Sequence, residues 1–193
     1  CEYRTAHEVT LWPVELTEVQ YFAGKEPVAL LDLPDLNKVR AGIRLRLRTT
    51  LPGLSFDKLA LERLALFLNG SDELPMRVYE QLLGNAVMVV ARPGQRPAPW
   101  HEVVPGECIR RLGFADEQAL LPYAPPSFRG YRLLHEYFAF PQRFLFVELA
   151  GLGAAVRRCA DSELEILILL NRANAALENG LEAEHFALFC APA

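Results

Sequence analysis

The amino-acid sequence predicts an α+β fold, a mainly antiparallel, β-sandwich-like core with about three helices. Three observations lead there. Residues Ile43 to Thr50 alternate, with Ile43, Leu45 and Leu47 on one face and Arg44, Arg46 and Arg48 on the other, the period-two pattern of a half-buried strand. Further apolar runs bounded by polar or turn residues recur at Leu61 to Asn69, Ala86 to Ala91, Glu163 to Leu170 and His185 to Cys190. Helical spacing appears at only a few places between them.

Taken in order, Ala6 to Phe22 is apolar but contains Pro13, which cannot donate to a ladder and favours an edge strand or an extended lead-in. Leu61 to Asn69 is more continuously apolar, as for a strand covered on both faces, and Asn69-Gly70 ends it. A helix follows, capped by Ser71 or Asp72, with Leu74, Val78 and Leu82 every four residues and Gly84 as its terminator. Ala86 to Ala91 is a short buried strand. Arg92 to Pro99, with Pro93-Gly94, Pro97 and Pro99, is the most loop-like stretch. The chain reads as one domain, 1–193, within which this loop is a candidate boundary between lobes 1–95 and 100–193. Another strand is expected around Glu107 to Leu112. Leu121-Pro122-Tyr123-Ala124-Pro125-Pro126 is a rigid extended connector, after which Ser127 caps a helix that Pro141 stops. Phe128, Tyr131, Leu134 and Phe138 form one stripe of that helix, expected to pack into the core. Arg143 to Leu149 is a strand, and Ala154 to Cys159 one or two helical turns.

The chain has 193 residues, 51% of them hydrophobic, enough for a sizeable core and incompatible with intrinsic disorder. With 24 acidic against 20 basic side chains, the overall field does not attract a polyanion. No apolar run approaches the roughly 18 to 20 residues that span a bilayer. The start, Cys1-Glu2-Tyr3-Arg4-Thr5, has no initiator Met and no signal-peptide pattern, which suggests an excised fragment. Cys1, Cys108, Cys159 and Cys190 lie far apart without CxxC spacing, as expected for reduced thiols in a cytoplasmic protein.

Local catalytic motifs are weak. Phe144 to Gly153 resembles a strand running into a phosphate-binding Gly-x-Gly turn, so a nucleotide site at Gly151-Leu152-Gly153 is the alternative functional reading, although Val156 replaces the third small residue. His135-Glu136 begins a zinc-protease pattern, but Ala139 stands where the second His belongs. None of Ser55, Ser71, Ser127 and Ser162 lies in Gly-x-Ser-x-Gly. Glu102 with Glu107, and Asp161 with Glu163, read as solvated acids. Arg44, Arg46 and Arg48 are a candidate partner-facing patch, against the simpler reading of a solvated strand face. The aromatic residues Phe128, Tyr131, Tyr137, Phe138 and Phe140 suit core packing, with an exposed recognition surface as the alternative. No cofactor or metal ligand set is expected.

The long motif from Leu121 through Ser127-Phe128-Arg129-Gly130-Tyr131 and Tyr137-Phe138-Ala139-Phe140-Pro141 to Leu152 closely resembles the TssF family, a baseplate subunit of the bacterial type VI secretion system. Tyr3-Arg4-Thr5, Val9-Thr10-Leu11-Trp12-Pro13 and the stretch Leu64 to Gly84 are similar to the same family. The resemblance implies the central part of a longer, cytoplasmic structural protein with no enzymatic role. It also implies assembly with TssG, TssE, TssK and further copies of itself into wedges that carry a contractile sheath and tube, with no nucleic-acid partner and no direct membrane insertion. Cutting such a piece from an assembly should leave exposed apolar patches near the chain ends.

Overall fold

In the computed structural model, residues 5–71, 73–104, 107–121, 128–178 and 180–193 are described. Strand β1 (Val14–Ala23) leads to β2 (Ala41–Thr49), β3 (Arg63–Leu68), helix α1 (Leu74–Glu80), β4 (Ala86–Pro93), β5 (Glu102–Val104) and β6 (Ile109–Arg111). Helix α2 (Arg129–Ala139), β7 (Phe146–Ala150), helix α3 (Gly153–Arg158), β8 (Glu163–Leu170) and β9 (Phe186–Leu188) complete the chain. One sheet has the order β1-β2-β8-β4-β5 and the other β6-β7-β3-β9, and each pairing among the described residues is antiparallel. The α+β class and the antiparallel sandwich-like core are those expected from the sequence.

Both sheets contribute to one core. From the larger sheet, Ile43, Leu45 and Leu47 pack with Leu164, Ile166 and Ile168 of β8, and Leu64 and Leu66 of β3 with Val147 and Leu149 of β7 meet them from the smaller one. The cross-strand pairs Ile43↔Ile168, Leu45↔Ile166 and Leu47↔Leu164 hold this apolar face in register. A slip of one residue would expose all of it. Pro13 immediately precedes β1, which occupies a sheet edge as its lack of a donor demands.

Strand β8 is covered on both faces. Its outward Leu167 and Leu169 lie under Val28, Leu33 and Val39, a second small core formed by the segment between β1 and β2. That segment makes two short 3-10 turns, Glu26–Val28 and Leu36–Lys38, and carries no periodicity that marks it as a cover. The strand expected to be doubly buried, at Leu61 to Asn69, instead alternates. Leu64, Leu66 and Leu68 point inward, while Phe67 on the other face stacks against Phe146 with ring centroids 4.7 Å apart.

Of the four-residue row, Val78 is buried on α1, Leu82 is buried in the turn that follows it, and Leu74 is half-buried. The cap of α1 is Glu73 rather than Ser71, with Pro75 in the first turn, and Asp72 lies outside the described residues. A wide turn over Gln81–Asn85 then carries the chain past Gly84 directly into β4. The Pro-rich loop after β4 leads to β5, its neighbour in the same sheet, and β8 from the later half of the chain lies between β2 and β4. The short strand β5 was not expected. Arg143 belongs to a 3-10 turn, Pro141–Phe144, so the strand expected from Arg143 starts only at Phe146. The connector from Pro122 and the Ser127 cap lie outside the described residues.

Because Ile166 is fully buried at the centre of the core, Ile166→Ala should destabilise the chain by about 2–5 kcal/mol. Leu30, whose side chain is wholly exposed, should tolerate the same change within about 0.5 kcal/mol. Urea denaturation of both variants checks the contrast.

Candidate functional site

The outer face of the larger sheet carries a row of charges set by register. Glu18, Arg46, Glu165 and Arg92 are successive cross-strand partners on β1, β2, β8 and β4. Glu165 is fully buried and receives hydrogen bonds from Arg92 and from Arg96 Nη2, the latter at 2.6 Å. Arg44 and Arg46 approach the same carboxylate at 3.7 and 3.5 Å. Glu18 pairs with Arg44 at 2.5 Å and with Arg46 at 2.9 Å, and Arg48 with Glu15 at 2.6 Å. Burial alone would push the Glu165 carboxyl up, but hydrogen bonds from Arg96 and Arg92, with their charges, outweigh it and hold the carboxyl below its ordinary value. The guanidiniums of Arg44, Arg46, Arg92 and Arg96 thus surround the carboxylates of Glu18 and Glu165, leaving a local excess of positive charge. Glu165 was not among the residues singled out from sequence. Its signal was available as the one acid inside the apolar run of β8.

Helix α2 is turned opposite to expectation. Phe128, Tyr131, Leu134, Tyr137, Phe138 and Phe140 are exposed, Phe138 to 80% and Tyr131 to 71%. Arg132 and Glu136, one turn apart, face inward and are buried, as is Arg143 of the following turn. Buried charges persist only when paired, and here they are. Arg132 Nη1 donates to Glu136 Oε2 at 3.1 Å and its Nη2 to Asp116 Oδ1 at 3.3 Å. Arg143 contacts Glu136 directly and donates through Nη2 to the carbonyls of Gly113 and Gln118 at 3.0 and 2.6 Å. Glu136 Oε1 also accepts from the Leu120 and Leu121 amides at 2.9 and 3.0 Å. Burial and the neighbouring Arg132 charge lower the Arg143 pKa to about 10, so it remains protonated at neutral pH.

Residues 113–121, which follow β6, are shaped to serve this cluster. Gly113 has φ +93°, and a Cβ there would come within 2.9 Å of the Arg143 carbonyl. Gln118 Oε1 accepts from the Gly113 amide at 2.7 Å. The aromatic stripe is therefore displaced outward because the helix's other face completes a buried ionic network. Beside it runs a groove of about 550 Å3, lined by Pro75, Met76 and Tyr79 near α1 and by Leu134, Tyr137 and Phe144 near α2. Among the described residues, exposed apolar area thus concentrates at α2, although Leu11 near the start is also exposed.

The nucleotide alternative fails on topology. Strands β7 and β8 lie in different sheets, so the parallel βαβ unit that it requires is not formed around Gly151-Leu152-Gly153. A Cβ on Gly153 would lie 2.0 Å from the Glu62 carboxylate, which places an acid where a pyrophosphate would need positive potential. Glu62 pairs with Arg157 at 2.8 Å. Glu102 pairs with Arg158 at 3.3 Å, and Asp161 accepts from the Ser162 amide at 2.7 Å. His135 is exposed on α2, and among the described residues no three His, Cys, Asp or Glu side chains converge on a metal-sized site. Burial pushes the Cys108 thiol up and that of Cys159 to about 11, so both are protonated at neutral pH.

The described residues thus present an arginine-rich strand face and an outward aromatic helix on a two-sheet α+β body. The sequence matches the family described as Type VI secretion system, TssF, over residues 1–193, and the chain belongs to that family. It is 48% identical over 193 residues to the type VI secretion system component TssF1 of Pseudomonas aeruginosa, matching 100% of this chain and 31% of that protein. Its fold is similar to that of a chain in a cryo-electron microscopy structure of a type VI TssK-TssF-TssG baseplate subcomplex, with a TM-score of 0.73 and 22% identity over 99% of this chain and 33% of the other. The chain therefore spans about a third of the length of these relatives. The family read from the Leu121 to Leu152 motif is the one found.

Two electrostatic consequences are measurable. Since the folded state binds the Glu165 proton less tightly than the unfolded chain, its stabilisation is full above the ordinary value of 4.5 and is lost as pH falls through the lower folded value. Glu165→Gln should cost about 3–5 kcal/mol at neutral pH and flatten the acid limb of stability, read by thermal melts from pH 7 to 3. Glu136→Ala should likewise cost about 3–5 kcal/mol by stranding Arg132 and Arg143, whereas joint replacement of Glu136 and Arg143 by Leu and Met should cost less than the sum of the two single changes.

Proposed function

We propose that the chain is one domain, residues 1–193, of a longer baseplate wedge subunit of a type VI secretion system, and that it acts as a scaffold rather than as an enzyme. The match to the TssF family across the whole chain carries this reading. Its partners in the wedge are TssG, TssE, TssK and further copies of the subunit, in the cytoplasm. The TssK-TssF-TssG subcomplex that contains the similar fold supports the first and third of these. No helix among the described residues is long and apolar enough to cross a membrane, which agrees with a soluble assembly component. Strands from both halves of the chain interleave in each sheet, which supports treating 1–193 as a single body.

A scaffold needs a rigid body and surfaces that recognise protein. The double cover of β8 and the buried ionic clusters supply rigidity. Arg44, Arg46 and Arg48 are the surface proposed to face an acidic partner, because the cationic excess around Glu18 and Glu165 leaves positive potential on that face. Glu18 orients Arg44 and Arg46, Glu15 pairs one-to-one with Arg48, and the excess charge comes from Arg92 and Arg96, which also reach Glu165.

The complete subunit should co-purify with TssG and TssK, and its deletion should block sheath assembly; a subunit that remains alone, with assembly intact after deletion, refutes the scaffold role. Replacing Arg44, Arg46 and Arg48 together by Gln should weaken the recovered complex and reduce its salt sensitivity. Unchanged recovery across a salt series would remove the arginine face from the interface.

A further inference from the structure

The outward face of α2 is too large and too apolar to remain in water. Phe128, Tyr131, Leu134, Tyr137, Phe138 and Phe140 together expose roughly 700 Å2, above the few hundred Å2 of patches on typical monomers and close to one side of a standard protein interface. Between Gly130 and Phe140 the formally charged side chains, Arg132 and Glu136, are both buried. His135 is exposed in that stretch beside the phenols of Tyr131 and Tyr137. Among the described side chains of α2, none of the exposed ones is an acid, a Lys or an Arg that would select an acidic or basic peptide. It is also shaped, since the groove of about 550 Å3 between α1 and α2 continues it inward past Met76 and Tyr137.

We propose that this face is the docking site for another segment of the same polypeptide, lying outside residues 1–193, which lays an apolar side into the groove and over Tyr131 and Phe138. The inference rests on the reading of the chain as one domain of a longer TssF-type subunit. Matched relatives carry about two thirds of their length beyond the region this chain covers, as coverage of 31% and 33% requires. A tethered segment acts at millimolar effective concentration, so it covers the patch as the subunit folds. A freely diffusing partner would leave this large aromatic surface open in the unassembled subunit, a standing aggregation hazard. The buried Arg132–Glu136–Arg143 cluster holds the face in position for this contact, because α2 cannot rotate its aromatics inward without exposing or unpairing those charges.

The test is photo-crosslinking in the complete subunit produced without TssG, TssE or TssK, using Phe138→p-benzoylphenylalanine and, as a second site, Tyr131→p-benzoylphenylalanine. The expected product is an intrachain cross-link from α2 to a peptide outside residues 1–193, with yield unchanged over a tenfold dilution. A cross-link joining two copies and falling with dilution, one that forms only when TssG or TssK is added, or none at either position in a folded subunit would each overturn the proposal. Co-purification with TssG and TssK is scored separately, so loss of the scaffold reading and loss of the intrachain contact give different results.

Discussion

Strand β8 has no face left for solvent, and the rest of the architecture follows from how each side is covered. On the inner side, Leu164, Ile166 and Ile168 meet the smaller sheet and form the common core. On the outer side, Leu167 and Leu169 are closed by the segment between β1 and β2. Between them in sequence sits Glu165, which has water on neither side and is retained only because guanidiniums from Arg92 and Arg96 reach it. The strand thereby ties together β2, β4 and the loop after β4 through one carboxylate. Antiparallel register then dictates which arginines share the outer face.

A second buried ionic cluster orients α2 by the same physics. Desolvated charges are far less tolerant of misplacement than apolar groups, because removing one partner strands the other. Arg132, Glu136 and Arg143, with backbone groups of Gly113, Gln118, Leu120 and Leu121, therefore decide the rotation of the helix. The aromatic residues take the side that remains. A helix whose hydrophobic stripe looks like a core stripe thus turns that stripe to the surface, which is the face proposed above as a docking site.

Most strands were legible because period two and β-propensity act locally. Ile43 to Leu47 show the pattern, and Ile43, Leu45 and Leu47 occupy the buried side that it predicts. The four-residue spacing of Val78 and Leu82 was equally reliable. The same reasoning misassigned Phe128, Tyr131 and Phe138, since periodicity identifies a stripe but not what lies opposite it. Phe67 and Ala65 show the related limit at β3, where a continuous apolar run carried no information on how far its second face is covered. Of the candidate site, the arginine row was visible and the aromatic helix was noticed. Glu165 and Arg143 were not, because their importance arises from partners tens of residues away.

By itself the sequence determined the class of fold, the position of the main strands, and the family, through local periodicity and a long motif. Only the tertiary structure decided that the two Gly151 and Gly153 flank a turn between strands of different sheets, that Glu165 is a hub, and that α2 faces outward. The physical reason is long-range pairing in all three. Each depends on pairing between distant residues: backbone ladders for the sheets that hold β7 and β8, and buried ion pairs for Glu165 and α2, where the cost of an unpaired charge outweighs the modest gain from burying another aromatic side chain.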